Sequence, residues 1–179
     1  FALELTIAEG QKRRVLQGDR GLSQKSDALG NASYYYSHTR LPTEGTVVIG
    51  NTSFAVSGNS WFDREWSSSA LADDQAGWDW FALQLDDGRD VMFYRMRGTD
   101  GEAQPFSKGV LVGLDGTAQP LRLDDVVLTP TRDWSAPDGR RYPVAWTLSI
   151  PMHDLDLEIE ASFDDQQMQT AVRYWEGTV

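Results

Sequence analysis

The chain has 179 residues, 40% hydrophobic and 24% charged, with 16 glycines and no cysteine, which fits one globular domain with a real core and excludes disulfides, thiolate nucleophiles and cysteine metal sites. Its net charge of −11 argues against nucleic acid as a partner, because a polyanion would be repelled. No apolar run approaches the ~20 residues that span a bilayer, so no integral membrane segment is expected.

Taken in chain order, "FALELTI" (1–7) alternates apolar and polar residues and predicts a strand. The polar stretch from Leu16 to Ser33 follows and reads as a linker, which would place residues 1–15 in a different sheet from the rest. Tyr34, Tyr35 and Tyr36 then open a strand with Tyr34 and Tyr36 on a common face. "TSFAVSG" (52–58), "WFALQL" (80–85), "VMFYRMR" (91–97), "AWTLSI" (145–150) and "LDLEIEASF" (155–163) continue the strand pattern. Turn signals separate them: "IGNT" at 49–52 and Asp-Gly pairs in "DDGR" (86–89), "TDGE" (99–102), "LDGT" (114–117) and "PDGR" (137–140). No segment holds a helical period, although "SSSALADDQAG" (67–77) allows one helical turn. The expectation is all-β: a meander of antiparallel hairpins, closed or nearly closed, as a barrel or a sandwich.

Residues 60–85 hold four of the seven tryptophans, Trp61, Trp66, Trp78 and Trp80, among the carboxylates Asp63, Glu65 and Asp79. In "WFDREW" the pleat puts Trp61, Asp63 and Glu65 on one face, and Phe62, Arg64 and Trp66 on the other. Two carboxylates sharing a face repel, which pushes one pKa up and leaves the other ionised, the division that acid and base roles need. The plainer reading is a rim in which both bond to amides or arginines. In "WDWFALQL", Trp78 and Trp80 share one face and Asp79 shares the other with Phe81, Leu83 and Leu85. A two-residue loop to the next strand would set Phe81 opposite Tyr94 and Trp80 opposite Arg95, desolvating Asp79 into a proton donor. A three-residue loop with a bulge at Gly88 would set Asp79 opposite Arg95 as an ion pair. Trp175 beside Glu176 repeats the Trp-acid pairing near the end. The two histidines, His38 and His153, have no ligand spacing, so no metal is expected. No phosphate loop, dinucleotide fingerprint or serine elbow is present, so no cofactor is expected either.

The segments "ASYYYSHTRLPTEGTVVIG", "VSGNSWFDREWSSS", "GWDWFALQLDDGRDVMFYRMR" and "YWEGTV", in this order, resemble the carotenoid 1,2-hydratase and AttH-like family of lipocalin-like proteins. The resemblance implies a lipocalin-like antiparallel β-barrel that is the second half of a two-half protein. Residues 1–15 would be the terminal strand of the preceding half, 16–33 the linker, matching "VLQGDRGLSQKS", and 34–179 the C-terminal barrel, ending before the family's last glycine-rich strand. It also implies a small apolar ligand, isoprenoid or lipid-like, the N-terminal lipocalin-like half as a partner, and a periplasmic or secreted location. Where the family pattern often has histidine, Arg64 stands here. A guanidinium cannot shuttle protons.

Hydrating an isolated double bond needs a proton donor in a dry pocket and aromatic faces for the cation. The resemblance implies a hydratase or a hydrolase, and the expected assignment is Asp79 as donor and Asp63 or Glu65 as water-activating base. Trp61, Trp66, Trp78, Trp80, Tyr34, Tyr36, Tyr94, Arg95 and Trp175 would form the ligand wall. Two other classes fit the same residues: a non-catalytic carrier of a hydrophobic ligand, which needs the wall but no desolvated acid, and a structural half whose Trp-acid motifs contact the other half.

Overall fold

The computed structural model describes residues 1–10, 14–67, 71–170 and 172–179. Their elements are fourteen strands and two short 3-10 turns, Leu123–Asp125 and Pro151–His153, with no α-helix. The chain divides into two compact units, Phe1–Leu123 and Asp124–Val179.

In the first unit, strands β1 (Ala2–Ile7), β2 (Val15–Leu16), β3 (Leu22–Gln24), β4 (Ala32–Ile49) and β5 (Thr52–Ser67) form one antiparallel sheet centred on β4. Both β2 and β3 pair with its first half, β1 with its second, and β5 with its whole opposite edge. Two expectations change here. Residues 2–7 lie in the same sheet as β4, and the stretch 16–33 pairs with β4 through Leu16 and through β3 and buries Gln17, Ser23, Ser26 and Asn31. The segments are too short for a period-2 signal, and their polar side chains are held by partners the sequence does not announce.

A second sheet follows the order β6 (Gln75–Gln84), β7 (Asp90–Gly98), β8 (Lys108–Val112) and β9 (Ala118–Arg122). Its first hairpin turns through Asp86, Asp87 and Gly88; Gly88 takes φ +85°, which a side chain would resist, and the Asp87 carboxylate accepts from the Arg89 amide at 2.9 Å. This three-residue loop sets Asp79 opposite Arg95 and Trp80 opposite Tyr94. The two sheets meet through a core of Val15, Tyr35, Met92, Tyr94, Met96, Val110 and Val112, with Trp61 and Phe106 packed against it. Close approach of β7 and β8 requires Gly109, where a Cβ would lie 2.1 Å from the Met92 carbonyl oxygen.

The hairpins expected from the Asp-Gly turns are present, but closure is not: among the described residues each sheet is open, and no ladder joins β5 to β6. The β4–β5 and β6–β7 hairpins meet by side chains instead of by backbone pairing, as where Trp80 Nε1 donates to Tyr35 Oη at 3.2 Å. The helical turn allowed in 67–77 falls in part on residues 68–70, outside the described residues. From Ala72 the chain makes a turn, with the Gln75 amide donating to the Ala72 carbonyl at 3.0 Å, and enters β6.

The second unit is a meander of β10 (Val127–Ser135), β11 (Arg141–Ile150) and β12 (Leu155–Glu160), followed by the hairpin of β13 (Gln167–Gln169) and β14 (Arg173–Trp175). Val144, Leu148 and Ile150 of β11 are fully buried. No helix of the described residues is long and apolar enough to cross a membrane.

Candidate active site

The pleat of β4 and β5 aims one set of alternate residues at the core. Register pairs Ser33 with Ser67, Tyr35 with Glu65 and Ser37 with Asp63, so Ser33, Tyr35, Ser37, Trp61, Asp63 and Glu65 share the core-facing side. Facing them from the second sheet are Trp78, Trp80, Met92, Tyr94 and Met96. A bulge in β4 between His38 and Leu41 bends the strand. It sends both Thr39 and Arg40 to the fully buried Asp90: Thr39 Oγ1 donates at 2.7 Å, Arg40 Nη2 at 2.7 Å and Arg40 Nε at 3.0 Å.

The two carboxylates of β5 stand in different surroundings. Asp63 accepts a hydrogen bond from Ser37 Oγ, and Gln17 Nε2 in turn donates to that hydroxyl oxygen at 2.9 Å. Burial raises the Asp63 carboxyl above its ordinary pKa, against the opposing pull of Ser37, Trp61 and Tyr35, with the Glu65 charge adding to the rise. The Trp61 Nε1 is buried with no partner at hydrogen-bond geometry, so its influence on Asp63 is that of a nearby dipole. Glu65 accepts from Ser33 Oγ at 2.5 Å and pairs with Lys25 Nζ at 2.9 Å.

The loop after β3 positions Lys25. Its amide donates to Asn31, Asn31 Nδ2 donates to Ser26 Oγ at 2.7 Å, and the Lys25 carbonyl accepts from Gln75 Nε2 at 2.6 Å. The ammonium lies 4.0 Å above the Tyr94 ring and 5.6 Å from that of Tyr35. Burial lowers its pKa, and Glu65 opposes that. Tyr35 and Tyr94, each 3% exposed, are held well above the ordinary phenol range, chiefly by burial. Ser23 Oγ and Tyr94 Oη share a hydrogen bond of 2.8 Å. The result is two neutral phenols and an elevated carboxyl beside an ion pair whose ammonium lies over the Tyr94 ring.

Of the residues expected in the site, Asp63, Glu65, Trp61 and Tyr94 are on the core-facing side, whereas Trp78 and Trp80, on the Tyr94 side of β6, are exposed, with Trp80 reaching Tyr35. Asp79 and Arg95 sit on the other face of β6 and β7, where Asp79 takes Arg95 Nη2 at 2.7 Å and Nε at 3.0 Å, with Arg97 Nε at 3.7 Å. This is the ion pair of the three-residue-loop register. Tyr34, Tyr36 and Trp66 lie on the opposite face of β4 and β5 in an aromatic set with His38 and Phe62. Arg64 belongs to that face too, 5.8 Å from the Trp66 ring, so the departure from the family's histidine lies away from Asp63. Trp175 is in the second unit, 6.1 Å from the Trp146 ring, with its Nε1 donating to the Asp164 carbonyl at 2.8 Å. A cleft of about 250 Å³ lies by the Lys25 loop, between residues 26–28, Ala72, Asp74 and residues 104–106; none of the tryptophans lines it. Among the described residues, no three His, Asp or Glu side chains gather as metal ligands.

The residues that sequence reasoning missed are Tyr35, Ser33, Ser37 and Lys25. The signal for the first three was the run Ser33, Tyr35, Ser37, Thr39, hydroxyls at every second position, which can face inward where polar partners wait opposite.

The fold is similar to that of a crystal structure assigned as AttH from Nitrosomonas europaea, with a TM-score of 0.87 and 32% identity over 97% of this chain and 54% of that one. It is also similar to kievitone hydratase from Nectria haematococca, with a TM-score of 0.73 and 18% identity over 94% of this chain and 51% of that one. Over 131 residues, 69% of this chain, the sequence is 21% identical to the dehydratase asqC of Emericella nidulans, covering 37% of its length. The chain thus spans about half the length of the solved structures it matches and less of the dehydratase. The family profile described as AttH-like matches residues 1–179, and the chain belongs to the AttH-like family.

Proposed function

We propose that the Asp63 side of this sheet adds water to, or removes it from, an apolar ligand by acid catalysis. The observation that carries the reading is the placing of Asp63, a carboxyl elevated by burial, and Glu65, a carboxylate held by Lys25, on one face with Trp61 and with Tyr35, to which Trp80 donates. In the hydration direction, the Asp63 carboxyl gives its proton to one alkene carbon, forming a C–H bond and leaving a tertiary cation that the indole faces stabilise. A water held by Glu65 adds its oxygen to the cation, and the proton it sheds returns to the Asp63 carboxylate. Tyr35, a neutral phenol, orients the acid. The donor role expected of Asp79 passes to Asp63, because Asp79 lies on the other face of β6, paired with Arg95 and away from the Asp63 side. Similarity to proteins named as a hydratase and a dehydratase supports this class of reaction.

The ligand would lie beside Asp63 and the exposed Trp80, outside the packed core of Tyr35, Met92, Tyr94 and Met96, and a lipocalin-like enclosure would be completed by chain beyond the ladders described. The share of the solved relatives that the chain covers, 54% and 51%, supports a protein of two such halves, with the other half as its partner. The test is to incubate the purified protein with an isoprenoid and lipid extract and weigh what is bound and released. A species released heavier or lighter by one water, and unchanged with Asp63→Asn, supports the reading. Release unchanged in mass by both proteins would make this a carrier.

A further inference from the structure

The proposed chemistry leaves one buried polar side chain beside Asp63 without a role. Gln17, 2% exposed, follows directly on β2, two residues after the core residue Val15. Its own amide donates to the Tyr35 carbonyl at 3.0 Å, and a tight turn follows in which Asp19 and Leu22 exchange backbone hydrogen bonds of 2.9 and 3.0 Å. So held, Gln17 gives Nε2 to Ser37 Oγ at 2.9 Å, and Ser37, itself fully buried, gives its hydroxyl to Asp63 Oδ1. The three side chains form a one-way relay that ends on the proposed acid.

A serine hydroxyl has one proton to give, and an amide nitrogen cannot accept one. With an N–H of Gln17 on its oxygen, Ser37 finds no acceptor on that side, and its proton stays on Asp63. We infer that Gln17 is a positioning residue: it fixes Ser37 as a donor to Asp63 Oδ1, so that the proton Asp63 gives to an alkene is carried on Oδ2. This deepens the reading of Asp63 as the acid, and rests on it, because the oxygen that carries the proton determines the side from which the double bond must approach. A hydroxyl that accepts from an N–H is also a stronger donor in turn. The relay therefore opposes the rise in the Asp63 pKa that burial causes and keeps the carboxyl ready to release its proton. The other ionisable groups of the core-facing side are Glu65 with Lys25, Tyr35 and Tyr94, and, along the second sheet, Asp90 with Arg40, Lys108 and Arg122.

The test is a carbon-13 NMR titration of the Asp63 carboxyl in the full chain and in variants checked for folding by circular dichroism. Ser37→Ala removes the donor, and the midpoint is expected to rise by about one pH unit, the worth of a hydrogen bond to a charged group. Gln17→Met keeps the buried volume without the N–H, and is expected to raise the midpoint by about a third of a unit. Added to Ser37→Ala, the same Gln17→Met change is expected to move nothing, because the path through the hydroxyl is gone. A lower midpoint in Gln17→Met would mean that the amide turns its carbonyl to Ser37, and would overturn the inference. So would an unchanged midpoint, or a shift that persists without Ser37. The readout does not depend on turnover. If these shifts are found and no compound gains or loses water, the positioning of the Asp63 proton stands and the hydro-lyase reading falls. If water transfer requires Asp63 while Gln17→Met leaves the midpoint in place, the hydro-lyase reading stands and the positioning role falls.

Discussion

Arg40→Met should unfasten the bend that sets Ser37 opposite Asp63. Asp90 is fully buried, and Arg40 holds it through two nitrogens at 2.7 and 3.0 Å while also donating to the Leu85 carbonyl at 3.1 Å. Methionine keeps the stem's packing but leaves the carboxylate in the interior with less than its charge requires. Removing one partner of a buried pair costs about 3–5 kcal/mol. The Arg40 side chain is 25% exposed and Thr39 still donates to Asp90, so the lower end, about 3 kcal/mol, applies. Over a unit of about 123 residues, an unfolding entropy of about 2.1 cal/mol/K per residue turns this into a fall in Tm of roughly 12 °C. Near-UV circular dichroism would follow the melt. Adding Asp90→Asn removes the stranded charge, and the double variant should recover to within about 1.5 kcal/mol of the native chain. A single variant that loses less than about 1 kcal/mol, or a double variant no better than the single, would refute the reasoning.

Asp63 has a folded pKa above its unfolded one, so the folded state holds the extra proton between the two values and stability falls as pH rises through that window. Asp63→Asn, which cannot ionise, should therefore melt higher than the native chain at pH 7, with the difference shrinking as pH falls toward about 3.9; a difference that grows on acidification would contradict this. Asp79→Asn should lower the melting temperature by removing the charge that Arg95 pairs with at 2.7 Å, yet leave any Asp63-dependent turnover in place, so loss of turnover in a folded variant would return the donor role to Asp79. Gly109→Ala would drive a Cβ to 2.1 Å from the Met92 carbonyl oxygen and 2.8 Å from Phe93 Cα, and should part β7 from β8. Its soluble yield and melting curve measure that, and a native-like melt would show that the strands can yield.

What was legible in the sequence was what a single strand decides. Alternation alone put Trp61, Asp63 and Glu65 on one face, and the Asp-Gly turns marked the hairpins. What pairing decides was not legible. One residue more or less in the Asp86–Gly88 loop exchanges the partner of Asp79, and with it an acid for an ion pair. The polarity rule inverts on β4: the half-buried Asp63 and its neighbour Glu65 accept from hydroxyls opposite them, so Ser33, Tyr35 and Ser37 face the core while Tyr34 and Tyr36 face away. Lys25 lay in what read as a linker, because only its partners, Glu65 and the Tyr94 ring, reveal that the loop is built to hold it.

The most direct test of the central claim is a carbon-13 NMR titration of the Asp63 side-chain carboxyl in the intact chain, assigned by its loss in Asp63→Asn. The account predicts a midpoint clearly above that of an ordinary aspartate, with a protonated carboxyl persisting as the exposed acids ionise. A midpoint at or below about 3.9 would leave Asp63 no proton to give and would contradict the account.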